Sequence, residues 1–346
     1  MMFFRRNTAA LAVVVMLWPI AATWAQEKGA KIPSAALRLS LPIRCAPGRD
    51  CWLVNLVDLD PGAGVVDYTC GKRSYDGHKG TDIAIRDLEA MKNGVDVVAS
   101  AGGIVLGTRD GMADVDVTLK GKASVKGREC GNGLVVSHGA GWETQYCHMR
   151  RGSVIVKKGD TIKRGQKLGL VGHSGLAQFP HLHLSVRHKK QVVSPFAGLG
   201  RNGGCGPGPA PLWTNDALAA LSIEGTAIFN AGFSSGALKP EMARSGRMAG
   251  GQMSRRSSAL VLWADMYWPK AGDNIRFRLT APDGQVLLEK NIAVEKTQAR
   301  RFHFVGKKRK TTIWPTGVYR GEVVLTRQGG TSKAVTVSAN REVDLR

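Results

Sequence analysis

Short apolar runs separated by glycine-rich turns dominate the chain from about Leu37 to Phe196. Examples are "VDVVASAGGIVLGTR", "GNGLVVSHG", "WETQYCHM" and "HLHLSVR", in which apolar and polar residues tend to alternate. A period of two is typical of half-buried strands, and no stretch here has the stripe of an amphipathic helix. The pattern therefore predicts an all-β domain.

The pattern breaks at "GLGRNGGCGPGPAP", Gly198 to Pro211, whose glycine and proline content is typical of a linker. Beyond it the alternation resumes, for example where Ile275, Phe277 and Leu279 are separated by arginines. We predict a second, immunoglobulin-like β-sandwich there, on pattern alone. It contains no cluster of catalytic residue types, so we interpret it as an accessory domain. The predicted organisation is a signal peptide at 1–25, the first β-domain at 26–200, a linker region at 201–223 and the sandwich at 224–346.

The N-terminus has the layout of a secretory signal. Arg5 and Arg6 precede an apolar run, and Thr23-Trp24-Ala25 offers small residues at the two positions that a signal peptidase inspects. We expect cleavage after Ala25 and export to the periplasm. The alternative is an uncleaved membrane anchor, which Pro19 disfavours. No second segment is apolar for long enough to span a bilayer.

Six cysteines follow the signal, an even number that favours disulfides in an oxidising compartment. The spacing suits a small closed turn from Cys45 to Cys51 and a hairpin closed by Cys130 and Cys147, which leaves Cys70 and Cys205 as a pair by elimination.

The net charge is +22, and it falls to +20 when Arg5 and Arg6 leave with the signal, because no acidic residue precedes Ala25. A basic surface attracts polyanions. For an exported chain we expect an acidic cell-wall polymer or an anionic membrane surface rather than nucleic acid.

Five residues of the first domain are candidates for metal chemistry. In "FPHLHLSV" the alternation puts His181 and His183 on one face of a strand, although two solvated histidines would give the same pattern. "GHKGTD" brings His78 and Asp82 together, and His148 ends the run "ETQYCH". A hydrolytic zinc site needs three nitrogen or oxygen ligands and an open position for water. The set His78, Asp82 and His183 would supply the ligands, which leaves His148 and His181 beside the water or the substrate.

The order and context of these motifs resemble the lysostaphin-like, LytM-type zinc metallopeptidases of bacterial cell walls. The resemblance runs from about His78 to Arg187 through "GHKGTD", "VVASAGGIVLG", "GNGLVVSHGAGWETQYCHM", "KKGDTIKRGQKLGLVG" and "PHLHLSV". It implies a two-sheet core of barrel-sandwich type, Zn²⁺ bound by His78, Asp82 and His183, catalysis by His148 and His181, and peptidoglycan cross-links as substrate. The chain departs from the family pattern at Cys147 and in the extended segment 111–130.

Two points stay open at the level of sequence. We assign stabilisation of the oxyanion to His148 and proton transfer to His181, but the two roles could be exchanged. The leading hypothesis is a secreted zinc endopeptidase. Its alternatives are a non-hydrolytic relative that binds cell wall and activates another hydrolase, and a basic binding protein whose histidines are structural.

Overall fold

The alternating segments of the first domain form an eight-stranded antiparallel sheet. Its strand order is β1-β2-β9-β6-β5-β4-β7, and β10 pairs with β9. Strands β3 and β8 form a separate antiparallel pair. The strands are β1 (Cys51–Asn55), β2 (Thr81–Ile85), β3 (Asp96–Val98), β4 (Gly103–Arg109), β5 (Asn132–Gly139), β6 (Trp142–Met149), β7 (Thr161–Ile162), β8 (Lys167–Leu170), β9 (His181–His188) and β10 (Gln191–Val192). Three short helical segments connect them: α1 (Leu88–Asn93), α2 (Val117–Lys120) and a 3₁₀ turn (Lys122–Val125). The prediction of a mostly β chain is confirmed, and the barrel-sandwich description stays a prediction.

These observations come from a computed structural model that describes residues 1–2, 37–200, 203–221, 225–246, 251–329 and 334–346. The predicted signal peptide lies almost entirely outside the described residues. Within the described residues, no helix is long and apolar enough to cross a membrane.

Strand β9 shows why the alternation predicts the core. Leu182, Leu184 and Val186 are fully buried in the first hydrophobic core, on the side of the sheet that their spacing predicts. His181 and His183 occupy the intervening positions and so share the opposite face. The central position of β9, between β2 and β6, places this face in the middle of the sheet.

The described part of the predicted linker region, residues 203–221, packs against the first domain. Cys205 is bonded to Cys70, and the amide of Gly206 donates to the Tyr68 carbonyl. Leu212 and Trp213 are buried in the first core, followed by helix α3 (Asn215–Leu221). Glycine-rich composition suggests a free linker, but the disulfide and two adjacent apolar side chains hold this segment in place.

Two further sheets form from residue 227 onward. One has the order β11-β13-β16 and the other β12-β18-β17-β14-β15. Side chains from both, such as Phe233 and Phe277, share one core. The elements are β11 (Ala227–Ser234), α4 (Pro240–Arg244), β12 (Gly251–Met253), β13 (Ala259–Tyr267), β14 (Asn274–Thr280), β15 (Val286–Ala293), β16 (Arg300–Lys308), β17 (Gly317–Arg327) and β18 (Val335–Leu345). These two sheets make up the region that we predict to be an accessory domain, called the accessory domain below; that division and its immunoglobulin-like topology stay predictions.

The accessory domain contacts the first sheet directly, and the described residues from Leu37 onward belong to a single compact unit. A separate apolar cluster contains Trp52 and Val54 of β1 together with Phe229, Tyr267 and Trp268. The Trp268 indole donates a buried hydrogen bond of 2.6 Å to the Val54 carbonyl. The two predicted domains are therefore joined by packing as well as by the chain.

Candidate metal centre and active site

Three side chains converge where β2 and β9 pair. Asp82 lies opposite His183 in the register of these strands, and His78 enters from the turn before β2. His183 Nδ1 is 2.7 Å from one Asp82 oxygen, and His78 Nε2 is 3.1 Å from the other. The two imidazole nitrogens are 3.2 Å apart. The structure thus brings together the three residues that the sequence predicts as metal ligands.

Hydrogen bonds orient these donor atoms for a cation. His78 Nδ1 lies 2.6 Å from the Leu56 carbonyl, which can only accept, so this nitrogen carries the proton and Nε2 presents its lone pair to the centre. Asn55 donates to Asp82 Oδ2, and Ser185 Oγ contacts His183 Nε2 at 2.9 Å. All three ligand atoms lie within 4.8 Å of one another. Two nitrogens and a carboxylate, each oriented by a second group, fit the donor set of a catalytic zinc site.

The Asp82 side chain is buried, and its surroundings keep it ionised. Burial opposes the charge, but the His78 and His181 imidazoles and the hydrogen bond from His183 outweigh it and hold the pKa of Asp82 well below its usual range. Burial tends to lower the pKa of His78. The Asp82 carboxylate and the Leu56 carbonyl raise this pKa by more than burial lowers it, so the net shift is upward. The carboxylate is therefore in the charged form that binds a metal.

His148 and His181 stand next to this centre, with ring centroids 4.6 Å apart. Each donates its Nδ1 proton to a backbone carbonyl, His148 to Ser174 at 2.7 Å and His181 to Phe179 at 2.8 Å. In this tautomer their Nε2 atoms carry no proton and can accept one. Burial, followed by the neighbouring imidazoles, lowers the pKa of His148 well below its ordinary value, and burial also lowers that of His181. Both imidazoles are thus poised to accept a proton at neutral pH.

His148 has an unusual backbone conformation. Its φ is +61°, a left-handed value that non-glycine residues adopt only when their surroundings enforce it. Its amide donates to the Cys130 carbonyl at 2.8 Å, and its chain neighbour Cys147 is bonded to Cys130. The disulfide therefore fixes the backbone that presents this imidazole. All three predicted disulfides, Cys45–Cys51, Cys70–Cys205 and Cys130–Cys147, are confirmed.

A cavity of about 400 Å³ opens beside Asp82 and His181. Tyr75, whose ring lies 4.4 Å from that of His78, forms part of its wall. The lining also includes Tyr267 and Arg300 of the accessory domain. The candidate site thus combines a metal centre, two neutral imidazoles and a cleft that both domains line.

Two further histidines of the first domain, His138 and His173, are also buried. His138 lies in β5, and its nitrogens contact the Gly102 carbonyl and Thr144 Oγ1. His173 is also buried, and burial lowers its pKa to about 4. Neither joins the metal centre.

Sequence reasoning missed the residues that support the site. Ser185 continues the alternation of the two histidines, so a signal for it was present. Asn55 lies opposite Asp82 across β1 and β2, and only the register of those strands reveals this. The carbonyls of Leu56, Phe179 and Ser174 carry no sequence signal, because any residue supplies one.

The chain matches known peptidases over the segment that holds the site. Residues 76–195 match the family described as Peptidase family M23, which confirms the resemblance inferred from the motifs. Peptidoglycan DD-endopeptidase ShyB of Vibrio cholerae is 37% identical over 101 residues, 29% of this chain and 21% of that protein. DD-carboxypeptidase/endopeptidase Mpg of Neisseria meningitidis is 32% identical over 107 residues, 31% of this chain and 22% of that protein. The chain thus spans between a fifth and a quarter of the length of these relatives.

Among solved structures, the catalytic domain of lysostaphin from Staphylococcus simulans is 20% identical and covers 41% of this chain and 85% of its own, with a TM-score of 0.27. A zinc-containing peptidase from Vibrio cholerae is 25% identical and covers 47% of this chain and 37% of its own, with a TM-score of 0.27.

Proposed function

We propose, on the premise that residues 76–195 are a Peptidase family M23 segment, that this protein is an exported zinc endopeptidase that hydrolyses peptide cross-links of peptidoglycan. The observation that carries the proposal is the convergence of His78 Nε2, Asp82 and His183 Nδ1 beside two neutral, buried imidazoles. Relatives named as peptidoglycan endopeptidases support the substrate. Three disulfides and the N-terminal pattern support export.

In this proposal His78, Asp82 and His183 hold the metal. When bound there, zinc supplies a hydroxide at neutral pH and polarises the scissile carbonyl. The protein's own residues then have to move the proton and stabilise the charge that develops on the carbonyl oxygen.

The tautomers of His148 and His181 restrict how these roles are shared. Each Nδ1 proton is committed to a backbone carbonyl, so a neutral ring has no proton on Nε2 to donate. The ring that first accepts the proton of the attacking water becomes an imidazolium, and only then can its Nε2 donate to the oxyanion or protonate the leaving amine. The proton of the attacking water serves one ring only. Proton transfer by His181 together with oxyanion stabilisation by His148 therefore needs a second proton, which His148 would take up from solvent before the attack.

Alanine variants separate the ligands from the catalysts. Replacement of His78, Asp82 or His183 removes a metal bond, so zinc content and hydrolysis should both collapse. Replacement of His148 or His181 should leave most of the zinc while activity falls by about 10²-fold or more. The measurements are zinc per protein by elemental analysis and release of soluble muropeptides from purified sacculi, with and without a chelator.

His188→Ala provides the matched control, since this histidine ends the same strand but packs against Trp142 outside the site. It should retain both zinc and activity. Full activity in all five site variants would refute the proposal. Zinc-loaded wild-type protein that binds sacculi but releases no muropeptide would establish the non-hydrolytic alternative instead.

A further inference from the structure

The accessory domain lends charged side chains to the wall of the active-site cavity. Besides Tyr267, the lining includes Arg300 at the start of β16 and Arg244 at the end of α4, and Lys122 of the first domain lies on the same wall. Among the described residues that line the cavity, Asp82 is the only carboxylate. In this proposal Asp82 is committed to the metal, so the remaining charge of the cavity wall is positive.

Arg300 is already neutralised by a partner inside the protein. Its guanidinium forms a paired hydrogen-bonded contact with the buried carboxylate of Asp265, with Nε 2.9 Å from Oδ1. It also lies 4.9 Å from the centre of the Phe229 ring. We therefore assign Arg300 a structural role in positioning the cavity wall.

Arg244 differs because its guanidinium is incompletely satisfied. Its Nε is buried and has no hydrogen-bond partner among the residues that the structure describes. Its Nη1 forms an ion pair with Asp116 Oδ2 at 4.0 Å, which is too long for a hydrogen bond. The other Asp116 oxygen, Oδ1, accepts from the amide and hydroxyl of Thr118 at the start of α2. The Arg244 side chain is 27% exposed and lines the cavity, so its guanidinium can take a further acceptor from a ligand.

We propose that Arg244 is a carboxylate subsite, which binds a free carboxylate of an acidic peptide substrate next to the amide that is cleaved. The inference rests on the proposed function and deepens it by naming the chemical class of the substrate. A guanidinium matches a carboxylate with two parallel hydrogen bonds, which a lysine cannot reproduce.

The test compares a cross-linked stem peptide that has a free carboxylate beside the scissile amide with its carboxamide twin. From the usual strength of hydrogen bonds between charged groups, we expect the wild type to cleave the acid peptide with a kcat/KM about 10- to 100-fold higher than the carboxamide peptide. The difference should lie mainly in KM. Arg244→Gln should lose this preference by slowing only the acid peptide, and Arg244→Lys should recover part of it. Arg320→Gln is the control, because Arg320 is an exposed accessory-domain arginine paired with Glu342 away from the cavity.

Equal cleavage of acid and amide by the wild type would overturn the subsite. An equal loss on both peptides in Arg244→Gln and Arg244→Lys would also overturn it, since that result indicates a structural role. Binding of the two uncleaved peptides to chelator-treated protein, measured by calorimetry, separates this inference from the proposed function. A preference for the acid that Arg244→Gln abolishes supports the subsite even if no hydrolysis occurs, and the absence of any preference refutes it.

Discussion

Removal of the three disulfides one at a time should separate the stability of the fold from the activity of the site. The bonded cysteines are 6, 17 and 135 residues apart for Cys45–Cys51, Cys130–Cys147 and Cys70–Cys205. The chain entropy that a cross-link removes from the unfolded state grows with the logarithm of the loop length. For these loops it predicts losses of about 2, 3 and 5 kcal/mol in the free energy of unfolding when both cysteines become alanine.

Activity should follow a different order. The Cys130–Cys147 bridge ends one residue before His148, whose left-handed backbone and hydrogen bond to the Cys130 carbonyl both depend on the local chain path. Without the bridge, His148 can relax toward an ordinary conformation and move its imidazole away from His181 and His183. The Cys70–Cys205 bridge joins exposed residues outside the cavity lining, so its loss should leave turnover near that of the wild type.

The assay pairs denaturant unfolding of each double-alanine variant with muropeptide release at a temperature where every variant is folded. We expect the largest loss of stability in the Cys70→Ala/Cys205→Ala protein and the largest loss of turnover in the Cys130→Ala/Cys147→Ala protein. Turnover that simply tracks stability across the three variants would refute the argument. So would full turnover without the Cys130–Cys147 bridge.

Two further substitutions test the close packing of the site and of the domain contact. A methyl group on Gly80 would lie 2.5 Å from His183 Nε2 and 2.8 Å from a backbone oxygen, so Gly80→Ala should lower the zinc content and reduce the free energy of unfolding by about 1–3 kcal/mol. A methyl group on Gly107 meets nothing within 4 Å, so Gly107→Ala should change neither quantity. Equal zinc content in both proteins would contradict this. Trp268→Phe removes the shorter of two hydrogen bonds to the Val54 carbonyl, whose other donor is Arg73 Nε at 3.3 Å. The free energy of unfolding should therefore fall by about 1 kcal/mol, as calorimetry can measure, and an unchanged thermal midpoint would show that this bond does not join the domains.

Local features of the site could be predicted from sequence because they depend on neighbours along the chain. The alternation in β9 fixes which side chains share a face, whatever the strand pairs with, so His181 and His183 were placed together correctly. A hairpin brings its own ends together, which made the Cys130–Cys147 pair predictable. The pairing of Asp82 with His183 spans 101 residues, and its register is set by the whole sheet.

The relation between the two domains could not be predicted for a related reason. Composition describes residues 201–223 as glycine-rich, yet whether such a segment is free depends on what surrounds it. Trp213 and the Cys70–Cys205 bridge hold it against the first domain. The same limit applies to Arg244, whose position on the cavity wall follows from how the accessory domain packs on β1 and from nothing in its local sequence.

That packing makes the accessory domain part of the electrostatics of the site. Phe179 lies 4.8 Å from the ring of His181 and 5.9 Å from that of Tyr267, which in turn stacks on Phe229 at 4.0 Å. These rings keep water from His181, and burial is the main cause of its lowered pKa. A more exposed imidazole would have a higher pKa and would be protonated in a larger fraction of molecules near neutral pH, and in that fraction its Nε2 could not accept a proton. A substitution that loosens this aromatic contact therefore acts on the chemistry of His181 without touching a predicted metal ligand.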